Sequence, residues 1–305
     1  MNSKYREFKD AFFVQFQSKD GLNLPGLLFP ANSDKVAIFI HGNGSSSVFY
    51  YNDYSLPREL LKKGISTLMF NNRGAHLIHK LDKYDDNQIT RSKYGMAYEM
   101  IREVVLDVDG ALDYLKAKGF KKFYLIGGST GANKIVVYNK YKPKNPFDAY
   151  VLIAGGDDLG VYFNKLGREG YQELIKDSKE KIEKGKGDEI VKQLLPDYFF
   201  SYKSFFDIAN PEGDYNIFPY FDYFLKLKLT KKKLFNEFSL INKSSLIIYG
   251  EDDEYAWGKV DDVVELLKSI KPEFTYKVIK KADHKFNNQI VYLAKVVADW
   301  LEKQK

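Results

Sequence analysis

The 305-residue chain has no cysteine, few arginines and no long hydrophobic run. Without cysteine it has no disulfide bond, no thiolate metal site and no cysteine nucleophile. Only six of its 47 basic residues are arginine. This argues against a nucleic-acid partner, because arginine is the residue that recognises phosphates and bases with paired hydrogen bonds. The longest apolar runs, at 36–40 and 150–154, fall far short of the ~20 residues that span a bilayer, so we expect no stable membrane insertion.

The composition is otherwise that of an ordinary globular protein, with 44% hydrophobic residues and a formal charge of +6. A chain of this length buries a core large enough to fold without disulfides or structural metals. The charged stretch at 1–10 has no apolar run behind it and therefore lacks the pattern of a secretory signal. From this we expect a cytoplasmic protein. The composition gives no indication of the oligomeric state.

The pattern of apolar residues predicts an α/β fold with a mainly parallel sheet. Stretches 11–17 and 22–29, around a turn at 19–21, predict an amino-terminal β-hairpin. Beyond it, apolar strands alternate with helices, which implies right-handed crossovers and helices on both faces of the sheet. The predicted strands are 35–40, 65–70, 122–127, 149–154, 245–250 and 273–279. The predicted helices are 54–63, 94–118, one that ends near Tyr141, 258–269 and 287–303, with a polar loop at 71–93.

This alternation stops between 159 and 243, where 17 residues are Phe or Tyr and the Lys/Glu pattern is helical. Parallel sheets bind ligands at the carboxyl ends of their strands. An apolar insertion between two strands most simply packs over that edge as a cap. The alternative is an extra helical layer with no part in ligand binding. We therefore divide the chain into an α/β core, 1–158 and 244–305, and a helical, aromatic-rich cap insertion, 159–243.

The most informative segment is Gly127-Gly128-Ser129-Thr130-Gly131, which follows an apolar strand and precedes a helix. It fits the pattern Gly-x-Ser-x-Gly in the setting that gives this short pattern meaning. A serine on so sharp a turn has strained dihedral angles and close neighbours, so glycines at 127 and 131 remove side chains that would collide. The N–H groups that open the next helix can stabilise negative charge there. Ser129 is the predicted nucleophile, and a plain glycine-rich helix cap is the alternative.

A serine nucleophile needs a positioned base, and the chain has four histidines. His284 follows the last predicted strand, on a loop at the same edge of the sheet as Ser129, and is the candidate base; a surface-loop histidine is the alternative. His76 and His79 lie in the polar loop after an earlier strand, where they could contact substrate or serve only as loop residues. His41 is assigned no chemistry, since a histidine at that position more often braces its loop.

The base needs an orienting carboxylate, and the chain order of serine, acid and histidine calls for one between the other two. The strand before the last one ends in a run of four acids at 251–254. Asp253 is the first choice, because the short turn after that strand should bring it toward the site. Asp252 is the close alternative. Asp157 and Asp158, which follow an earlier strand, are a second possibility.

An oxyanion develops in acyl transfer, so backbone donors must already point at it. The N–H of Thr130, directly after the nucleophile, supplies one donor. The loop His41-Gly42-Asn43-Gly44, after the first parallel strand, can supply the other, and Asn43 is the favoured donor. A plain glycine turn is the alternative for this loop.

Taken together, these motifs resemble the α/β-hydrolase superfamily and occur in that family's order. They are His41-Gly42-Asn43-Gly44, Asn72-Arg73-Gly74, Gly127-Gly128-Ser129-Thr130-Gly131, Gly250-Glu251-Asp252-Asp253 and Ala282-Asp283-His284-Lys285-Phe286. The similar regions are about 33–158 and 244–303. The resemblance implies the α/β-hydrolase fold with a cap insertion, and it implies that Ser129, Asp253 and His284 form a catalytic triad. The most similar member types are capped carboxylesterases, including acyl and cinnamoyl esterase-like enzymes.

Residues in two of these motifs also argue against particular branches of the superfamily. A serine at position 129 argues against the epoxide hydrolases and haloalkane dehalogenases, which need a carboxylate nucleophile. Asn43 stands where the hormone-sensitive-lipase-like branch has a third successive glycine, so that branch is not indicated.

We therefore predict a serine hydrolase that cleaves small-molecule carboxylic esters through an acyl-enzyme intermediate, with no metal or organic cofactor. The aromatic insertion would form an apolar acyl or aryl pocket, and the lysine excess favours substrates that carry an acid. A thioester, amide or lactone would use the same residues. The alternative from another class is a hydrolase-like scaffold that binds a ligand or a partner protein without turnover.

Overall fold

The computed structural model describes residues 10–43, 46–51, 53–85 and 88–304. Its strands are β1 (Phe12–Gln17), β2 (Asn23–Phe29), β3 (Lys35–Ile40), β4 (Ser66–Phe70), β5 (His79–Asp85), β6 (Gln88–Tyr94), β7 (Lys122–Gly128), β8 (Phe147–Ile153), β9 (Ser244–Gly250) and β10 (Thr275–Ile279). Its α-helices are α1 (Ser55–Lys62), α2 (Val104–Ala117), α3 (Thr130–Tyr141), α4 (Asp158–Glu183), α5 (Tyr202–Ala209), α6 (Tyr220–Leu225), α7 (Asn236–Ser239), α8 (Val260–Ile270) and α9 (Ile290–Glu302). Within these ranges, no helix combines the length and the apolar character needed to cross a membrane.

Eight strands form one sheet in the order β1-β2-β4-β3-β7-β8-β9-β10. From β4 to β10 in this order, neighbouring strands are parallel. β1 and β2 form the predicted amino-terminal hairpin and extend the sheet antiparallel to β4. The carboxyl ends of the parallel strands therefore meet along one edge of the sheet.

Alternate residues of the sheet enter two hydrophobic cores, one on each face. In β3, Val36, Ile38 and Ile40 enter one core, and Ala37 and Phe39 enter the other. α2, α3 and α8 pack on the first face, and α1 and α9 pack on the second. Because a central strand is covered on both sides, its sequence is continuously apolar. The predicted mainly parallel sheet with helices on both faces is confirmed.

Two predictions for the region 71–118 are wrong. The predicted polar loop at 71–93 contains a separate hairpin of β5 and β6, whose largely exposed strands lack the alternation that marks a half-buried strand. The chain predicted to be helical from 94 becomes α-helical only at Val104. Gly95 has φ of 107°, outside the helical range, and a short 3₁₀ turn at Ile101–Glu103 leads into α2.

The segment between β8 and β9 contains α4 to α7 and is helical, as predicted. Its longest helix, α4, is interrupted at Gly167, where φ is 67°. Many of its aromatic rings pack against one another. Tyr162, for example, meets Tyr198, Phe200 and Phe205 edge to face, with ring centroids 5.3 to 5.9 Å apart. This packing joins the segment to the first core of the sheet.

Candidate active site

Ser129 lies on the turn between β7 and α3, at the carboxyl edge of the sheet. Its φ of 55° and ψ of −131° are uncommon for a residue with a side chain and strain the backbone. The Ser129 N–H donates to the carbonyl of Ile153 at the end of β8, at 2.8 Å. The neighbouring strand therefore helps to hold the serine in this conformation.

The two outer glycines of the Gly-x-Ser-x-Gly motif are required by contact. A Cβ atom on Gly127 would lie 2.2 Å from the carbonyl oxygen of Gly131, and a Cβ atom on Gly131 would lie 2.3 Å from that of Ile40. Gly128 differs, because the atom nearest to its added Cβ would be in the Phe39 ring, 3.8 Å away. The tight turn therefore excludes side chains at 127 and 131 but accommodates one at 128.

His284 and Asp253 reach Ser129 from the loops that follow β10 and β9. His284 Nε2 lies 2.8 Å from Ser129 Oγ, and His284 Nδ1 lies 2.9 and 3.1 Å from the two carboxylate oxygens of Asp253. Because an ionised carboxylate only accepts hydrogen bonds, Nδ1 carries the proton and donates it to Asp253. Nε2 of the neutral ring then accepts the hydroxyl proton of Ser129. The structure thus brings these three predicted residues into one hydrogen-bonded chain.

The other candidate acids make different contacts. Asp252 is exposed. Asp157 is buried and accepts hydrogen bonds from the N–H groups of Gly160 and Phe221, both at 2.7 Å, at the start of α4. Asp158 follows it and accepts hydrogen bonds from side chains of α3. Among these candidates, the imidazole is hydrogen-bonded to Asp253 alone in the described part of the chain.

Two residues next to His284 were not predicted from the sequence. The carboxylate of Glu254 accepts a hydrogen bond from the backbone N–H of His284 at 3.0 Å, and the Tyr255 ring lies 4.5 Å from the imidazole, centroid to centroid. Glu254 is the last residue of the acidic run that drew attention to this loop, and Tyr255 directly follows it. The acidic run does not show that its loop packs against the loop after β10. The two loops are so close that a Cβ atom on Gly250 would lie 2.3 Å from the carbonyl oxygen of Ala282.

The loop after β3 passes directly beside the nucleophile. A Cβ atom on Gly42 would lie 2.9 Å from Ser129 Cβ and 3.3 Å from Thr130 N. Asn43 and Thr130 both line the cavity at this point, and the Thr130 N–H belongs to the first turn of α3, whose N–H groups have no partner within the helix. Gly44, the last residue of the predicted loop motif, lies outside the described residues.

His41 is fully buried and holds this loop. Its Nδ1–H donates to the carbonyl of Gly42 at 2.7 Å, and its Nε2 accepts the N–H of Asn72 at 3.2 Å. Burial lowers the pKa of His41 to about 3, so the ring is neutral, with both nitrogens engaged.

His76 and His79 pack on each other with ring centroids 5.1 Å apart, and neither lines the cavity at Ser129.

A cavity of about 870 Å³ opens at Ser129. One part is apolar and lies between the sheet, α1 and α9. Its walls include Phe39, Leu56, Met69, Ile153, Phe286 and Leu293. The other part is bounded by the segment between β8 and β9, which contributes Val161, Tyr162, Asp197 and Tyr198. Within the described ranges, no three His, Asp or Glu side chains are close enough together to hold a metal ion.

Comparison with known proteins supports the same fold. A family model with the description "Protein of unknown function (DUF1749)" matches residues 61–302. No curated protein sequence matches the chain.

Three solved structures illustrate the similarity in three dimensions. An esterase from Pyrococcus furiosus is 18% identical, with a TM-score of 0.57 over 96% of this chain and 91% of the esterase. Est1E from Butyrivibrio proteoclasticus, with ferulic acid bound, is 13% identical, with a TM-score of 0.63 over 95% and 99%. The carboxylesterase CesB from Bacillus subtilis is 17% identical, with a TM-score of 0.54 over 95% and 91%. The predicted α/β-hydrolase fold is confirmed.

Proposed function

The chain belongs to the DUF1749 family, and from the geometry of its site we propose that it is a serine hydrolase that cleaves carboxylic esters. The observation that carries this proposal is the hydrogen-bonded chain from Asp253 through His284 to Ser129 on a strained strand-to-helix turn. A nucleophile, a base and an orienting acid within hydrogen-bond reach are the elements of a catalytic triad. The similarity in fold to proteins named as esterases supports the same reaction class.

In the first half of the reaction, Ser129 Oγ attacks the ester carbonyl carbon while His284 Nε2 takes the hydroxyl proton. Asp253 fixes the imidazole in the required tautomer and stabilises the imidazolium that forms. The N–H groups of Thr130 and Asn43 stabilise the oxyanion of the tetrahedral intermediate. The imidazolium then gives its proton to the departing alcohol, and the acyl group stays on Ser129.

In the second half, His284 takes a proton from a water molecule, whose oxygen attacks the acyl carbonyl. The second tetrahedral intermediate collapses, the proton returns to Ser129 Oγ, and the carboxylic acid is released. Each proton in this scheme moves through one atom, His284 Nε2.

The cavity supports an apolar acyl or aryl group as one half of the substrate. Its apolar part begins at Ser129 and continues between the sheet, α1 and α9. We propose that the segment 159–243 acts as a cap, because side chains from it close the other part of the same cavity. The cytoplasmic location stays a prediction.

The experiment that tests this proposal is labelling of the purified protein with a fluorophosphonate probe. The probe is applied to the wild type, to Ser129→Ala and His284→Ala, and to Asp252→Asn as a matched control in the exposed position beside Asp253. Release of p-nitrophenol from acetate to decanoate esters is measured in parallel, with a thioester, an anilide and a lactone of matched acyl length.

We expect labelling and ester turnover in the wild type and the control, and loss of both in the two alanine variants. Faster cleavage of the ester than of the other acyl compounds supports the proposed bond specificity. A folded wild type that neither binds the probe nor cleaves any ester would contradict the proposal and favour a scaffold that binds without turnover.

A further inference from the structure

One wall of the cavity combines a carboxylate with tyrosine hydroxyls. Asp158 and Tyr162 are four residues apart on α4, and so lie on the same face of the helix. Tyr198 and Tyr255 line the same cavity from the loop before α5 and the loop after β9. We call these four residues the tyrosine wall.

Asp158 lies close to the nucleophile. One of its carboxylate oxygens accepts a hydrogen bond from the hydroxyl of Thr130, the residue after Ser129, at 3.1 Å, and the other accepts one from Asn133 Nδ2, also at 3.1 Å. A carboxylate has about four acceptor positions. Asp158 therefore keeps acceptor capacity toward the cavity after both of these bonds are made.

The hydroxyl of Tyr162 is the second observation. The Tyr162 side chain is only 6% exposed and lines the cavity, yet within the described residues its hydroxyl makes no hydrogen bond. The Tyr162 hydroxyl is not among the solvent-inaccessible side-chain atoms that lack a partner, so this oxygen is open to the cavity that the residue lines. A polar group of a ligand bound beside Ser129 can therefore pair with it.

The charge on the cavity lining favours a cation as that group. The lining includes four aspartates, at 53, 157, 158 and 197, but among the described residues only one lysine, Lys285. Lys134, whose charge also acts on Asp158, is fully buried and forms an ion pair with Glu99. The lining therefore holds more acidic than basic side chains although the whole chain carries a formal charge of +6, so the lysine excess of the chain does not describe the cavity.

We propose that the tyrosine wall binds a protonated amine, so that the ester cleaved at Ser129 carries an ammonium group on one side of the scissile bond. This rests on the proposed esterase function and names the substrate class of the same site. An ammonium group donates hydrogen bonds and needs acceptors, which the Asp158 carboxylate and the Tyr162 hydroxyl provide. The Tyr255 ring adds the attraction of aromatic groups for cations, whereas the Tyr198 ring already carries the Lys165 ammonium group, 4.5 Å from its centroid.

The test uses two matched pairs of esters, one for each side of the scissile bond. On the acyl side, p-nitrophenyl ε-aminocaproate is compared with p-nitrophenyl heptanoate, in which a methyl group replaces the ammonium group. On the alcohol side, dimethylaminopropyl butyrate is compared with isohexyl butyrate. In the wild type we expect kcat/KM to favour the cationic member of one pair about 10- to 100-fold, as for hydrogen bonds between charged groups.

Three variants identify the source of the preference. Asp158→Asn removes the charge, Tyr162→Phe removes only the hydroxyl, and Asp252→Asn is the control, since that exposed carboxylate lies outside the cavity lining. We expect the ratio of cationic to neutral kcat/KM to fall about tenfold or more in Asp158→Asn and less in Tyr162→Phe. The control keeps the wild-type ratio.

A binding measurement separates this proposal from the esterase proposal. Calorimetry with pentylamine and pentanol on Ser129→Ala protein requires no turnover, and we expect tighter binding of the amine, lost on adding Asp158→Asn. Equal binding of the two compounds would overturn the amine site even if esterase activity is found. So would an Asp158→Asn enzyme that is slower on both members of each pair by the same factor, because Asp158 would then act through His284 and not on the substrate.

Discussion

Two regions of the molecule meet at the cavity, and they hold their residues in different ways. At the carboxyl edge of the sheet, Ser129 is fixed by backbone contacts so close that a single Cβ atom at Gly127 or Gly131 would overlap a carbonyl oxygen. In the segment between β8 and β9, side chains are held mainly by rings packed on other rings. The first arrangement excludes side chains at 127 and 131, and the second depends on the fit of buried rings. On the proposed function, the edge carries the residues that break the bond, and the segment contributes part of the cavity that receives the substrate.

The largest expected effect is on kcat. It lies at the carboxyl edge of the sheet, where Asp253 and Asp252 are neighbours. Asp253→Asn should lower kcat by about 10⁴-fold, because an amide cannot hold His284 in the tautomer with Nδ1 protonated. Asp252→Asn, which changes an exposed side chain, should leave kcat close to the wild-type value. Steady-state kinetics on p-nitrophenyl butyrate measures both. Equal losses in the two variants would show that the acid has been assigned to the wrong residue.

The next effect is on stability, and it compares two adjacent glycines. Gly127→Ala places a Cβ atom 2.2 Å from the carbonyl oxygen of Gly131 and should destabilise the fold by about 1–3 kcal/mol or more, as overpacking does. Gly128→Ala places its Cβ atom 3.8 Å from its nearest neighbour among the described residues, the Phe39 ring, and should melt near the wild-type temperature. Thermal unfolding followed by circular dichroism measures the difference. If both variants melt alike, the turn is more adaptable than its contacts indicate.

A smaller effect is expected in the apolar part of the cavity, which lies between the sheet, α1 and α9 and so outside the segment between β8 and β9. Leu56 is partly buried on α1 and lines this part. Leu56→Trp should fill the space and reduce kcat/KM for the decanoate ester about tenfold more than for the acetate ester. A series of p-nitrophenyl esters from acetate to decanoate tests this. A uniform loss across the series would place the acyl chain in another part of the cavity.

The smallest expected effect is a change of substrate preference with pH. It tests the role of Asp158, the first residue of α4. Burial raises the pKa of Asp158 to about 7, although the hydrogen bond from Thr130 and the charges of His284 and Lys134 act in the opposite direction. The titratable groups that face Asp158 are Glu99, Lys134, Asp157, Tyr162, Tyr215, Tyr255 and His284.

Asp158 is neutral below its pKa and anionic above it. The preference for the cationic ester should therefore rise several-fold from about pH 6 to about pH 8, a range in which an alkylamine stays protonated. Taking the ratio of kcat/KM for the two members of a pair cancels any dependence on pH that both substrates share. A ratio that is flat with pH in the wild type, or that rises equally in Asp158→Asn, would contradict the prediction.

The sequence predicted the edge of the sheet better than it predicted the cavity. Ser129, Asp253 and His284 could be chosen because each lies within a few residues of the end of an apolar strand, and parallel strands bring such positions together. The hairpin of β5 and β6 could not be found in this way, because its exposed strands have no apolar alternation. Asp158 was considered only as a triad acid. Its place on the cavity wall depends on how α4 packs, which is a property of three-dimensional contacts and not of local pattern.

The connection between β8 and β9 has a consequence for how such a protein can change. These two strands are adjacent and parallel in the sheet, so the segment leaves the core at one strand and returns at the next. Its length and sequence can vary while the registers of β7, β9 and β10 stay the same. One contiguous stretch of chain therefore separates two neighbouring strands of the sheet. On the proposed function, changes within this stretch would alter which substrates are accepted, while the strands that lead to Ser129, Asp253 and His284 keep their pairing.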